Sequence, residues 1–376
     1  MTDERSSFRQ VVQRVLADSW PPLAEYASGV LPPNAERLRK VSDELGWWEL
    51  EDEDGGFGFA SIAIQELGGA LGPGELLAGL SVNPVIGRLP GLAADPSGVA
   101  CSWRDSEPRR NAAPRLDTRG GEVRLSGEVS WCLGATDDVA HVLVFAADAG
   151  EPVAVLVRSR GDGARLEPMS GSDPTRRFWR LVMDGVPLDE PGVLARGDQA
   201  LALLRAVEQR ISVALALDSL GIARSALALT VAYAKLREQF GAPIGSFQAV
   251  KHRCVDMFVL VESADVLVEA AVATVASGDP LARSGVTSLA MAKAASCDAA
   301  AEVTRLALQT HGGIGYTWEH SCHLLVRRAK LNQALGGSTR SLRRAVAGGL
   351  LDGVLPATQG PSATDGTDIP TRGERR

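Results

Sequence analysis

Residues 233–256 read YAKLREQFGAPIGSFQAVKHRCVD and lie between two long apolar runs. The central GAPIG at 241–245 breaks any helix, because proline lacks a backbone N–H and glycine relaxes the backbone. Phe247 then opens a new apolar stripe at helical spacing. The stretch predicts a sharp turn between two long helices, with Arg237 and Phe240 near its tip.

Both sides of this turn follow helical periodicity. Residues 199–238 are apolar nearly all round, which predicts a helix buried inside a bundle. At 1.5 Å per residue that helix would be about 60 Å long. Four more helical stretches complete the predicted bundle, at 247–276, 287–310, 322–334 and 338–350.

The chain before residue 199 divides into a helical block and a strand block. Helical spacing dominates residues 8–89, and the pattern changes near residue 97. Short runs rich in β-branched residues and separated by turns then predict a small antiparallel β-domain. These runs lie at 123–130, 139–145, 153–157, 166–169 and 178–182.

We therefore expect three structured domains and a tail. The boundaries predicted are an N-terminal helical domain at 1–96, a central β-domain at 97–195 and a C-terminal helical bundle at 196–352. Residues 353–376 are rich in Pro, Gly, Thr and charge, cannot bury much apolar area, and are expected to be disordered.

Composition limits the classes of function. The 376 residues are 45% hydrophobic and carry a net charge of −7, which gives no electrostatic footprint for nucleic acid. The five cysteines lack C-x-x-C spacing and fit a reducing cytoplasm. No signal peptide is evident at the N-terminus. The longest apolar candidate for a membrane span, 211–229, is interrupted by Asp218 and Arg224, so no membrane span is expected.

Three stretches together resemble the acyl-CoA dehydrogenase family. They are REQFG with the following FQAV in 237–250, DPTRR at 173–177, and the ELGWW and GGFG segments within 44–58. The resemblance spans about residues 30–350. It implies an α+β fold with an N-terminal helical domain, a central antiparallel β-domain and a C-terminal helical bundle.

A second glycine-rich motif, QTHGGIGYTWEH, occupies residues 309–320. Its glycines could expose N–H groups to a phosphate, or could simply end one helix before the next. In the family, this motif and REQFG reach across a subunit interface to the neighbouring subunit's FAD. The resemblance thus implies FAD as cofactor and, as its ligands, Arg237 (pyrophosphate), Phe240 (cofactor lining), Gln309, Gly312 and Gly313 (adenine half), with Gln248 matching a further family position.

The contacts to a subunit's own flavin match the family less well. Ser106, in Ser106-Glu107-Pro108, could stand in for the family's T-E-P threonine. Glu128 occupies the place where the family often has a lysine. Trp131 could pack near a flavin ring, or could be an ordinary core tryptophan.

The catalytic base is the main departure from the family. Its reaction removes an α-proton from a thioester and needs a carboxylate in a dry pocket. Most members supply it from Y-E-G-T before the last helix, and here Gly336 holds that position. A minority place it on the long first helix, near Ile211. Glu208 is the nearby candidate, and the alternative is that Glu208 is solvated beside Arg205 and Arg210.

The histidines near residue 320 could suggest a metal site. His320 and His323 have helical i, i+3 spacing, and His311 lies nearby, but no carboxylate pattern accompanies them. We expect a structural role for these side chains and no metal centre.

The sequence leaves several functions open. The chain could desaturate an acyl-CoA thioester, from fatty acid or steroid side-chain metabolism, as a subunit of a hetero-oligomer that passes electrons to electron-transfer flavoprotein or a similar acceptor. It could be a non-catalytic homologous partner that completes a neighbour's FAD site. Three features resemble the base-less subunit of bacterial α2β2 members. They are the missing glutamate at Gly336, the sequence T-W-E-H at 317–320 and the altered T-E-P region at 106–108. A repurposed flavoprotein of secondary metabolism is the third alternative.

Overall fold

The computed structural model describes residues 2–26, 36–50, 57–86, 99–102, 113–117, 122–136, 139–188, 192–276 and 283–351. The tail predicted at 353–376 and the candidate Ser106 lie outside these residues.

Helices form the N-terminal part of the fold. The fourth helix, FGFASIAIQELGG, is apolar nearly all round and is buried against the long first helix of the C-terminal bundle. The first helix packs on it, with Arg9 paired to Glu66 at 2.5 Å. The bounds are α1 Thr2–Ser19, α2 Leu23–Tyr26, α3 Glu36–Glu44, α4 Phe57–Gly69, α5 Gly74–Ser81 and α6 Asn83–Ile86.

One eight-stranded sheet forms the centre, in the order β6-β7-β3-β2-β4-β5-β8 with β1 beside β4. The pairs along this path are antiparallel except β2 with β4, and β1 also pairs in parallel with β4. The strands are β1 Val99–Cys101, β2 Arg115–Asp117, β3 Val123–Cys132, β4 His141–Asp148, β5 Glu151–Arg158, β6 Ala164–Met169, β7 Phe178–Leu188 and β8 Val193–Arg196.

Two central strands are buried on both faces. Val142 and Val144 of β4 join a core formed among the strands, whereas Leu143 between them joins the core shared with the helices. In β5, Val153 belongs to the core among the strands and Ala154 belongs to the core shared with the helices. Successive side chains of a strand point to opposite faces, so one face of each strand packs among the strands and the other packs against the helices.

The C-terminal part is a helical bundle built on one 40-residue helix. A two-stranded hairpin follows that helix, and a short 3₁₀ helix, Gly312–Tyr316, connects two later helices. The elements are α7 Gly197–Leu236, β9 Glu238–Gln239, β10 Ala242–Pro243, α8 Gln248–Ala276, α9 Arg283–His311, α10 Cys322–Ala334 and α11 Thr339–Leu351. The predicted α+β fold, with helices on either side of a mostly antiparallel sheet, is confirmed; the two parallel pairs were not predicted.

Glycines allow α4 and α7 to cross at very short range. A Cβ on Gly221 would lie 2.0 Å from Gln65 O, and one on Gly68 would lie 2.5 Å from Asp218 O. No larger residue fits at either position without moving a backbone, so this crossing depends on glycine.

A buried network of charges joins the sheet to the bundle. Arg328 of α10 pairs with Asp173, and its Nη2 donates to Thr175 Oγ1 at 2.6 Å. Arg176 Nη2 donates to Asp218 Oδ1 of α7 at 2.8 Å. Asp218 is thus explained as the partner of a buried arginine, and the D-P-T-R-R segment as a connection between domains.

Helix α7 is long and apolar enough, by length and composition, to cross a membrane. However, 72% of its most apolar window is buried within the fold. Such burial is typical of the core helix of a folded domain.

Candidate functional site

The two family-like motifs meet at one end of the helical bundle. The ring of Tyr233, one turn before Arg237, stacks on the ring of His311 with centroids 4.4 Å apart. Arg253 Nη1 of α8 donates to Thr310 Oγ1 of α9 at 3.3 Å. These contacts hold the hairpin after α7 beside the glycine loop after α9.

The hairpin places an aromatic ring in solvent. Phe240 and Gly241 form its two-residue turn, with φ values of 54° and 77°. Such a turn matches the twist of the flanking strands but costs about 1–2 kcal/mol at a residue with a side chain. Phe240 is also 95% exposed, and its ring lies perpendicular to that of Phe247 with 6.2 Å between centroids. The Phe240 ring at the hairpin tip is therefore accessible to a ligand or to a second chain.

The glycine loop combines two different uses of glycine. Gly315 is buried, and a Cβ there would lie 3.1 Å from His311 Cβ, so this glycine serves packing. Gly312, at φ 65°, ends α9, yet nothing lies within 4 Å of a Cβ built on it or on Gly313. The helix-ending role therefore holds for Gly312 while the backbone surface stays open to a ligand.

The residues at this end fit one side of a FAD site. Arg237 offers an exposed cation, Phe240 an exposed ring, and Gln309 an exposed amide whose Oε1 accepts from Arg305 Nη1 at 3.5 Å. Gln248 is exposed at the first position of α8. All of these side chains are exposed and lie away from the chain's own core.

Trp131 lies at an irregularity of β3. Its φ of 60° coincides with a register shift between Val129 and Cys132. Its backbone N–H donates to Met169 Sδ at 3.4 Å, and its ring packs against that of Phe178 in a T-shaped arrangement with centroids 5.2 Å apart. Strain of this kind concentrates at functional positions, whereas the packing against Phe178 also suits a core residue.

The turn between α10 and α11, where the family places its base, carries a buried amine instead of a carboxylate. Gly336 sits there at φ 60°, and a Cβ on it would lie 3.3 Å from Lys293 Nζ and 3.6 Å from Leu215 Cδ1. Lys293 Nζ donates to the carbonyls of Leu335 and Gly337, the latter at 2.9 Å. Burial lowers the pKa of Lys293 to about 8.

Glu208 stands away from this turn. It precedes Leu215, the α7 residue nearest Gly336, by two helical turns on the same face. The rise of α7 over those residues is about 10 Å. Glu208 is half-buried, and Ile211 between the two is buried. The Glu208 assignment stays a prediction.

A cluster of two histidines and a cysteine lies directly beneath the glycine loop. The ligand-type atoms of His311, His320 and Cys322 all fall within 4.8 Å of one another. Burial lowers the pKa values of His311 and His320 and raises that of Cys322 to about 12. The i, i+3 pair His320 and His323 does not share this cluster; His323 Nδ1 instead lies 2.6 Å from His320 O.

Two of these residues were missed by the sequence interpretation. Lys293 lies in an alanine-rich helical stretch, and nothing in the spacing marks it as a neighbour of Gly336. Cys322 carried no ligand spacing with other cysteines, although its proximity to His320 in the sequence was a usable signal.

Comparison with known proteins agrees with this architecture. The family described as "Acyl-CoA dehydrogenase, C-terminal domain" matches residues 202–351. The solved ChsE4-ChsE5 complex from Mycobacterium tuberculosis contains a chain with the same fold, at TM-score 0.79 and 21% identity, covering 95% of this chain and 99% of that one.

Two relatives from the same organism match over nearly the whole chain. Acyl-CoA dehydrogenase IpdE2 is 32% identical over 352 residues, covering 91% of this chain and 96% of IpdE2. Acyl-CoA dehydrogenase FadE34 is 33% identical over 364 residues, covering 92% of this chain and 48% of FadE34. The chain thus spans about half the length of FadE34 and nearly all of IpdE2, and it belongs to the acyl-CoA dehydrogenase family.

Proposed function

We propose that this chain is one subunit of a hetero-oligomeric, FAD-dependent acyl-CoA dehydrogenase that desaturates an acyl-CoA at Cα–Cβ. In this assembly it completes the FAD site of a homologous partner, and the partner supplies the catalytic carboxylate. FAD, when bound, accepts the hydride from the β-carbon and passes electrons to electron-transfer flavoprotein or a similar acceptor. The complex works in the reducing cytoplasm, a placement supported by five free cysteines.

One asymmetry carries the proposal. The groups that would face a neighbour's FAD, namely Arg237, Phe240 and Gln309, are present and exposed. The turn that would hold this subunit's own base has Gly336. Simple decay of an enzyme would not preserve one set of contacts and remove the other.

The outer face of α8 supports an assembly. Its inner face packs through buried Met257 and Val261, and its opposite face leaves Val255, Val259 and Val266 exposed. A helix that is apolar on both faces is expected to be buried on both. The exposed face therefore fits a second helical surface of the same kind.

The comparisons are consistent with a two-part enzyme. FadE34 is about twice as long as the segment that matches this chain, which leaves room for a second unit of the same size. The ChsE4-ChsE5 structure is, by its description, a complex of two proteins.

Flavin stoichiometry tests the proposal. The chain is purified alone and together with a candidate partner, a family member that carries the base glutamate, and FAD is counted per chain by absorbance. We expect little FAD and no flavin reduction by acyl-CoA thioesters for the lone chain, and one FAD per two chains in the complex. One FAD per chain in a homo-oligomer of this protein alone would overturn the partner role.

Arg237 supplies a sharper test in that complex. Arg237→Ala removes a charge-assisted contact worth roughly 1.5–3 kcal/mol, so FAD affinity should fall about 10- to 150-fold. Arg165→Ala, an exposed arginine of β6, removes the same charge elsewhere and should leave FAD affinity unchanged.

An active lone chain is the second candidate, and the position of Glu208 on the same face of α7 as Leu215 favours it. In that case acyl-CoA would reduce the flavin of the purified chain, and Glu208→Gln would abolish the reduction while FAD content stayed constant. Retained reduction in Glu208→Gln would exclude Glu208 as the base.

A further inference from the structure

Three nitrogen and sulfur donors converge where α9 ends and α10 begins. His311 is the last residue of α9, Cys322 is the first residue of α10, and His320 lies on the turn between them. His311 is 4% exposed and Cys322 is 1% exposed, and His320 is half-buried. The proposed function assigns no task to this set.

We propose that His311, His320 and Cys322 form a site for a borderline-soft transition metal ion of the Zn²⁺ class. Two imidazoles and one thiolate are a ligand set that such ions favour over Mg²⁺ or Ca²⁺, which bind oxygen. This proposal opposes the expectation of no metal centre, which rested on the spacing of His320 and His323. It does not depend on the proposed function.

The separations suit a metal after a small rearrangement. Zn–N bonds of about 2.0–2.1 Å and Zn–S bonds of about 2.3 Å place tetrahedral ligand atoms roughly 3.3–3.6 Å apart. Cys322 Sγ already lies 3.6 Å from His311 Nδ1, and the whole set lies within 4.8 Å. Closing the set requires a shift of about 1 Å.

His320 is the side chain that can make this shift. It lies on a turn, is half-buried, and its ring is only tilted against that of His311, with centroids 4.4 Å apart. Its Nδ1 accepts from the backbone N–H of Cys322 at 3.2 Å, and that bond is exchanged if Nδ1 becomes the ligand. The partial exposure of His320 also leaves a path for an ion.

His311 is held in one orientation by its neighbours. Its Nδ1 lies 2.8 Å from Ala307 O, and its ring stacks on Tyr233. The same Nδ1 faces Cys322 Sγ, so ligation through Nδ1 exchanges its contact with Ala307 O for the bond to the ion.

Co²⁺ is the probe, because its bond to a thiolate gives a near-ultraviolet charge-transfer band and its tetrahedral complexes absorb in the visible. The full chain is stripped with a chelator and titrated with Co²⁺, then with Zn²⁺. We expect one Co²⁺ per chain, both spectral features, and their loss when Zn²⁺ displaces the probe. Absence of the charge-transfer band in the wild-type chain would overturn the site, whatever the variants do.

Variants assign the band to this cluster. Cys322→Ser should remove the band and weaken Co²⁺ binding at least tenfold, since loss of even an outer-shell partner costs 10–100-fold. Cys254→Ser, at a half-buried cysteine of α8 outside the cluster, should keep both. A band that survives Cys322→Ser, or is lost in Cys254→Ser, contradicts the assignment.

A second variant guards against misfolding. If circular dichroism shows that Cys322→Ser does not fold, His320→Gln replaces it, because a half-buried turn residue is the easiest member to change. His320→Gln should keep the thiolate band at saturation but weaken Co²⁺ binding at least tenfold. Unchanged affinity in a folded His320→Gln would exclude His320 and the site as proposed.

Discussion

Lys293 places a buried amine beside the turn at Gly336. Its ammonium lies against the turn at Gly336 and donates to two carbonyls near the end of α10. A carboxylate at position 336 would have an amine within ion-pair distance. With glycine there, the amine is buried with carbonyl partners, and the energetic consequence is a lowered pKa.

The pH dependence of stability should reveal this amine. The pKa of Lys293 falls from 10.5 to about 8 on folding, so between those pH values the unfolded chain binds more protons and stability rises with pH. At about 1.4 kcal/mol per pKa unit, the free energy of unfolding of wild type relative to Lys293→Met should rise by up to about 3 kcal/mol from pH 8 to 10.5. Urea unfolding at a series of pH values measures it.

Comparing wild type with Lys293→Met removes the contribution that cysteine ionisation makes to the pH dependence of unfolding. Burial raises the pKa of Cys132 from 9.0 to about 12, so ionisation of this thiol in the unfolded chain lowers stability above about pH 9 in both proteins alike. Lys330→Met removes an exposed lysine of α10 whose Nζ donates to Gln333 Oε1 at 3.0 Å, and it is the matched control. A difference that stays flat across this pH range, or matches that of Lys330→Met, would rule out the burial of a charged amine.

At this scale the sequence offered candidate site residues only where a motif marked them. Motif resemblance alone was enough to propose Arg237 and Gly312 as candidates and to note that Gly336 replaces the expected glutamate. Lys293 and Gly336 meet through the packing of α9 against α10, and the His311, His320 and Cys322 set forms through the course of a 3₁₀ helix. Neither contact has a period or spacing that a sequence pattern would show.

Among elements, the D-P-T-R-R segment between β6 and β7 joins sheet and bundle through buried charge. Arg328→Met would leave the carboxylate of Asp173, at 3% exposure, without its ion-pair partner. Removing one partner of a buried pair costs about 3–5 kcal/mol, because the other charge stays desolvated. We expect urea denaturation to show this decrease in the free energy of unfolding of Arg328→Met relative to wild type.

An exposed ion pair gives the comparison. Arg305→Met breaks the pair of Arg305 Nη2 with Glu302 at 2.6 Å on the surface of α9. Exposed pairs contribute about 0–1 kcal/mol, so this variant should be nearly as stable as wild type. Equal losses for the two arginines would mean that the buried network does not hold the domains together.

Replacement by alanine is predicted to change stability in opposite directions at two helical glycines, one at the crossing of α4 and α7 and one in α11. Gly221→Ala places a Cβ 2.0 Å from Gln65 O and should destabilise by about 1–3 kcal/mol through overpacking. Gly348→Ala, in α11 with nothing within 4 Å, should stabilise by about 0.5–1 kcal/mol. Thermal melting of both variants decides it, and a stabilised Gly221→Ala would show that the helices can move apart.

Periodicity predicted the elements better than their pairing. The apolar run at 199–238 corresponds to α7, Gly197–Leu236, because a helix buried all round leaves a simple sequence signal. Short β-branched runs separated by turns predicted an antiparallel β-domain, which holds for most strand pairs. The parallel pairing of β1 and β2 with opposite ends of β4 could not be predicted, since it depends on long connections with no register signal.

For the whole molecule, the unpartnered surface is as informative as the core. The bundle buries one face of α8 and leaves valines and a phenylalanine on the other, while the hairpin just before α8 exposes Phe240. Polar residues would keep a monomer of this shape soluble at lower risk of association. Both features agree with the proposed assembly.

Phe258 tests that assembly without touching the cofactor residues. Its side chain is 53% exposed on α8, so Phe258→Asp should leave the free energy of unfolding of the isolated chain within about 0.5 kcal/mol. In an interface, the new carboxylate would be desolvated without a partner, and association with the partner chain, measured by analytical ultracentrifugation, should be lost. Leu350→Asp, also 53% exposed but on α11, controls for a charge placed on an apolar surface residue. If Phe258→Asp associates as wild type does, the outer face of α8 is not the interface, and the partner of Arg237 and Phe240 must approach the hairpin from another side.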